Sequence, residues 1–93
     1  MDTSTKNETK TKVEEIISKP FRLVLQNDDY NTFDWVINCL MKICGHEYEQ
    51  ATQSAYIVHF KGKCDVKYGD FDTLITMKEK LLSAGLSVTM EQN

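Results

Sequence analysis

The chain is poor in proline, glycine and arginine, and it has no excess of basic charge. One proline (Pro20) and four glycines in 93 residues leave no room for a proline- or glycine-rich linker, so one domain is expected. A single arginine, Arg22, and a net charge of −3 argue against nucleic acid, whose usual footprint is a basic stripe. No apolar run approaches the ~20 residues that span a bilayer, so no membrane partner is expected. The polar N-terminus is unlike a secretory signal. The three cysteines, Cys39, Cys44 and Cys64, are odd in number and lack Cys-x-x-Cys spacing, so no metal or redox site is expected. They read as reduced, packed thiols of a cytoplasmic protein, and no cofactor is implied.

Apolar residues make up 41% and charged residues 27%, the balance of an ordinary soluble globule. Apart from Met1, residues of core size are absent from the first twelve positions. Residues 1–19 are rich in Thr, Lys and Glu and read as a flexible N-terminal arm, leaving 20–93 as the folded core. A core of only ~70 residues is near the size where burial is marginal. A groove or shallow pocket is therefore expected instead of a deep enclosed site.

Periodicity sets out six elements. Phe21 to Leu25 alternates and predicts a strand. Thr32 to Cys44 carries Phe33, Val36, Ile37, Leu40 and Cys44 at three- and four-residue steps and predicts a helix, which Gly45 stops. A second helix is expected from Glu47 to Phe60, before Gly62, with Tyr48, Ala51, Ala55, Val58 and His59 on one face. Lys63 to Tyr68 alternates again, and Gly69-Asp70 breaks that strand. Asp72 to Ser83, with Leu74, Met77, Leu81 and Leu82, predicts a third helix ended by Gly85; Leu86 to Met90 is the last strand. The order β-α-α-β-α-β predicts a small α+β domain, a three-stranded antiparallel sheet covered by three helices.

Between the first strand and helix stands Asn27-Asp28-Asp29-Tyr30-Asn31. Asn and Asp are turn residues because their side chains fold back onto backbone N–H groups. Asn31, three positions before Asp34, is the expected helix cap, and one aspartate completes the turn. Asn27 and the other aspartate exceed those needs, and surplus acceptors at a rigid corner suit a cation. His46, at the junction of the first two helices, is expected to be capping or exposed. His59 lies near the C-terminal end of the second helix. A hydrolase built on a Cys–His pair is one alternative, although no residue is marked as a nucleophile.

Asn27-Asp28-Asp29-Tyr30, the amphipathic helix, Glu49-Gln50-Ala51-Thr52-Gln53 and Val58-His59-Phe60-Lys61-Gly62-Lys63 together resemble the ClpS family. The resemblance runs from about Phe21 to Glu91 and is carried by the combination of motifs at compatible spacing. It implies the ClpS fold, shared with a ribosomal stalk C-terminal domain. It also implies a non-enzymatic adaptor that recognises destabilising N-terminal residues (N-degrons) and hands those proteins to a Clp AAA+ unfoldase of the ClpA or ClpC type. The main alternative is a stalk-like protein–protein module that shares the fold but lacks the pocket.

Carried over residue by residue, Asn27, Asp28 and His59 match the positions that hold the substrate α-amino group. Asp29, Asn31, Phe33, Val36, Ala55, Val58 and Leu86 fall where the family lines its side-chain pocket. Asn31 stands in place of the usual Thr or Ser. Phe33 replaces a Met common at the pocket mouth, and Ala55 a Met common at its floor. Lys78, after Thr76-Met77, resembles the lysine that contacts the unfoldase, although the acid that usually precedes it is missing.

Overall fold

The structure, a computed structural model, describes residues 19–93. Residues 1–18, nearly all of the expected arm, lie outside the described residues. The elements are β1 (Phe21–Gln26), α1 (Phe33–Cys44), α2 (Tyr48–Lys61), β2 (Lys63–Gly69), α3 (Phe71–Ser83) and β3 (Ser87–Gln92). This is the predicted β-α-α-β-α-β order, with ends differing by one or two residues.

The helix ends follow local chemistry, with one correction. Thr32, not Asn31, caps α1: its hydroxyl accepts the Trp35 N–H at 3.1 Å. Asn31 is taken by tertiary partners described below. Asp70 caps α3 by accepting from Thr73 N, which holds its carboxyl below the ordinary range. At the far ends of α1 and α2, Gly45 and Gly62 take left-handed φ values of 73° and 93°, and the Gly62 N–H closes onto Val58 O at 2.8 Å.

The sheet order is β2-β1-β3, with both pairings antiparallel. Leu23 and Leu25 of β1 and Val88 of β3 face the helices. They pack into one core with Leu40, Cys44, Ala51, Val58, Leu74 and Leu81. Each large side chain buried there stabilises the fold by ~1.5–3 kcal/mol. The opposite face is polar: Arg22 donates to Glu91 at 2.9 Å, and Gln26 to Thr89 at 3.2 Å.

Further features depart from the sequence reading. Leu23 pairs with Lys67 but Val24 pairs with Asp65, so Val66 has no opposite residue and forms a bulge. His46 is buried, not capping or exposed, with Nε2 2.6 Å from the Val66 carbonyl oxygen. A carbonyl only accepts, so Nε2 carries the proton. Cys39 and Cys44 are buried as expected, whereas Cys64 is only half-buried.

Candidate functional site

The Asn27–Asn31 corner is built around one carboxylate. Asp28 Oδ1 accepts the N–H groups of Tyr30 and Asn31, both at 2.9 Å, and Oδ2 accepts from Asn31 Nδ2 at 2.9 Å. Partial burial raises the Asp28 carboxyl, but the Asn31 backbone, the Asn31 side chain and the Tyr30 backbone together outweigh it. The net result lies below the ordinary value. Asp28 is thus the turn aspartate, and the surplus one is the exposed Asp29. With three donors engaged, Asp28 keeps one lone-pair site on Oδ2.

Three tertiary bonds attach this corner to the rest of the chain. The second Asn31 Nδ2 hydrogen reaches Gly85 O at 2.9 Å, and Trp35 Nε1 donates to Ala84 O at 2.9 Å. Both hold the α3–β3 junction against the start of α1, which places Leu86 beside the corner. On the other side, Asn27 N–H donates to Gly62 O at 2.9 Å, just past the end of α2. Among the described residues, nothing hydrogen-bonds the Asn27 carboxamide or the His59 ring nitrogens.

The result is one groove of about 490 Å³. Asn27, Asp28 and His59 line it, as do Asp29, Asn31, Phe33, Val36, Ala55, Val58 and Leu86. Polar groups come from the β1–α1 turn and from His59, and apolar groups from α1, α2 and the residue before β3. Ala55, Val58 and Leu86 are almost fully buried and form the floor, while Phe33, 38% exposed, stands at the rim. Leu25, Gln26 and Thr32 also line the groove and were not anticipated. Their signal is position, because each lies at the end of an element that abuts the turn. Lys78 lies elsewhere, partly buried on α3.

The groove suits a ligand with a positive charge beside an apolar group. Asn27, Asp28 and Asp29 supply acceptors to the lining, and no lysine or arginine is among the lining residues. No cysteine lines it either, and burial raises all three thiols, Cys44 to about 11. A thiolate nucleophile is disfavoured by that shift. Among the described residues, no group of three or more His, Cys, Asp or Glu is placed to hold a metal ion. None of the described helices is long and apolar enough to cross a membrane.

Residues 16–89 match the family model described as ATP-dependent Clp protease adaptor protein ClpS. Similar curated proteins, each named ATP-dependent Clp protease adapter protein ClpS, include one from Pectobacterium carotovorum. It is 39% identical over 59 residues, covering 61% of this chain and 56% of the relative. Another, from Salmonella gallinarum, is 40% identical over 43 residues, covering 46% and 41%. The chain spans about half the length of the curated relatives it matches. The fold is similar to the solved structure of Agrobacterium tumefaciens ClpS2 bound to L-phenylalaninamide. That match has a TM-score of 0.73 and 25% identity, and covers 81% of this chain and 98% of the other. With most of its length matched by the family model, the chain belongs to the ClpS family.

Proposed function

We propose that this chain is a non-catalytic adaptor. Its groove binds the free N-terminus of a protein whose first residue is bulky and hydrophobic, and the bound protein is passed to a Clp AAA+ unfoldase, ClpA- or ClpC-type. One observation carries the reading: the unspent acceptors of Asn27, Asp28 and His59 share a single groove with the apolar floor of Ala55, Val58 and Leu86. L-phenylalaninamide, held by the Agrobacterium relative, combines a free α-amino group with an aromatic side chain, the same pairing of features.

The physical logic is a two-part test. An α-amino group has a pKa near ~8 and is largely protonated at neutral pH. Lysine is also cationic, but its charge stands on a long stem and cannot sit beside a side chain of its own. Two or three charge-assisted bonds at about 1.5–3 kcal/mol each add to about 1.5–3 kcal/mol from one buried side chain. Less the cost of association, this gives an affinity of order micromolar, suited to cargo that must be released.

Acetylation provides the experiment. It removes the charge and two donors from a peptide's N-terminus and leaves every side chain in place. Fluorescence anisotropy should show acetylated peptides binding at least ~30-fold more weakly, equivalent to ~2 kcal/mol. Equal affinity for free and acetylated peptides would sink the proposal.

A further inference from the structure

Four rings close a circuit beside the groove. Phe33 lies 5.0 Å from Tyr56 and 5.2 Å from His59, His59 lies 4.9 Å from Phe60, and Phe60 lies 6.2 Å from Tyr56. Phe33 and His59 line the groove, whereas Tyr56 and Phe60 stand one ring outside it. The Tyr56 and Phe60 planes differ by only 4°, and the two residues are 52% and 75% exposed. Neither belongs to the hydrophobic core. Aromatic area left in water adds little to folding, and a contiguous exposed patch of it marks an interaction surface.

We infer that Tyr56 and Phe60 form a shelf that reads the third residue of the bound chain, favouring an aromatic side chain there. The inference rests on the reading of the groove as a seat for a free N-terminus. Once the first side chain has entered past Phe33 and His59, an extended chain directs its second side chain away from the protein. Its third returns to the same side, about 7 Å further on at ~3.3 Å per residue. The wall-to-shelf spacings are 5.0 Å (Phe33 to Tyr56) and 4.9 Å (His59 to Phe60), about 2 Å short of that distance, a gap that an aromatic side chain spans. Ring faces are electron-rich, and Asp28 and Asp29 line the groove that the shelf extends, so an acidic third residue is disfavoured.

The test uses the full chain and labelled peptides that all begin with phenylalanine. The third residue is phenylalanine, alanine or aspartate, and one further peptide places the extra phenylalanine second. Each is titrated free and acetylated, against the natural protein and the Tyr56→Ala/Phe60→Ala double variant. Phenylalanine at the third position should bind about fivefold tighter than alanine, the scale of one aromatic contact. Aspartate there should bind more weakly than alanine, and the second position should change affinity less than about twofold. In the double variant, the third-residue preference should vanish while the alanine peptide keeps its affinity and its sensitivity to acetylation. A preference that is missing, that survives the double variant, or that appears at the second position instead overturns the shelf. Loss of free-over-acetylated discrimination in the natural protein has a different meaning: it overturns the groove reading, and the shelf with it. Should thermal melting show the double variant unfolded, Phe60→Ala alone, at the more exposed ring, carries the comparison.

Discussion

The Asn27 N–H donates to the Gly62 carbonyl oxygen at 2.9 Å, joining the end of β1 to the residue that closes α2. His59 lies on the last turn of that helix, so this bond sets the distance between two of the groove's polar groups. Gly62 makes the bond with φ at 93°, a value that L side chains rarely adopt.

Gly62→Ala should therefore lower stability by about 1–2 kcal/mol through backbone strain. An added Cβ would meet nothing within 4 Å, so steric contact contributes nothing to the loss. Urea unfolding measures it, and peptide affinity should fall in parallel as Asn27 and His59 shift. An unchanged unfolding midpoint would contradict the strain argument.

Asn27 and Asp28 should separate binding from folding. The exposed Asn27 carboxamide has no hydrogen-bond partner among the described residues, so Asn27→Ala should change stability by less than ~0.5 kcal/mol. It should still weaken peptide binding about tenfold or more. Asp28→Ala removes the acceptor of three bonds and should reduce both, with a stability loss of about 1–3 kcal/mol. Melting curves set beside anisotropy titrations make the comparison; equal stability losses in the two variants would refute it.

The pH response follows from Asp28 and the ligand amine. The folded Asp28 carboxyl lies below its ordinary 3.8, so its stabilising contribution is present above that value and is lost as pH falls through the lowered one. Peptide affinity should decline above pH ~8 as the α-amino group loses its proton. Thermal melts below pH 4 should show a smaller further loss for Asp28→Asn than for the natural chain. Affinity that rises between pH 8 and 9 would contradict a charged ligand.

Ala55 and Phe33 should set the first-residue preference. Ala55, 3% exposed on the floor, leaves depth for aromatic side chains, so phenylalanine, tyrosine or tryptophan should bind at least as well as leucine. Phe33 at the rim is stiff and should exclude β-branched isoleucine and valine, whose bulk lies near the α-carbon. Ala55→Met should weaken tryptophan more than leucine by roughly 1 kcal/mol or more, and Phe33→Ala should partly admit isoleucine. Equal weakening of leucine and tryptophan by Ala55→Met would show that Ala55 is not the limiting floor contact.

Delivery should depend on regions away from the groove. Deleting residues 2–19, or changing Lys78 to Ala on α3, should leave peptide affinity within about twofold while slowing degradation by the cognate Clp protease. Degradation at the full rate by both variants would remove the arm and Lys78 from the delivery step.

Local chemistry determined the element order and all but a residue or two of each boundary. Apolar spacing in Phe33, Val36, Ile37 and Leu40, and a glycine after each of α1 and α2, act within a few residues and need no partner. Asn27 was likewise legible as a surplus acceptor in the turn, whereas the grouping of Asn27 with Asp28 and His59 was implied by the family resemblance and not by local chemistry. Tertiary structure decided which of two equivalent residues does which job. Asn31 and Thr32 both suit a cap, and Thr32 takes it because the Asn31 carboxamide is held by Asp28 and by Gly85, which lies 54 positions on. His46 could not be placed from sequence, since its partner is a carbonyl at a bulge in β2. The exposed rings of Tyr56 and Phe60 lie on a helix whose apolar residues extend around much of its circumference. Periodicity alone could not say which side the sheet would cover, because that choice is made when α1 and α2 pack together and bring Phe33 against Tyr56.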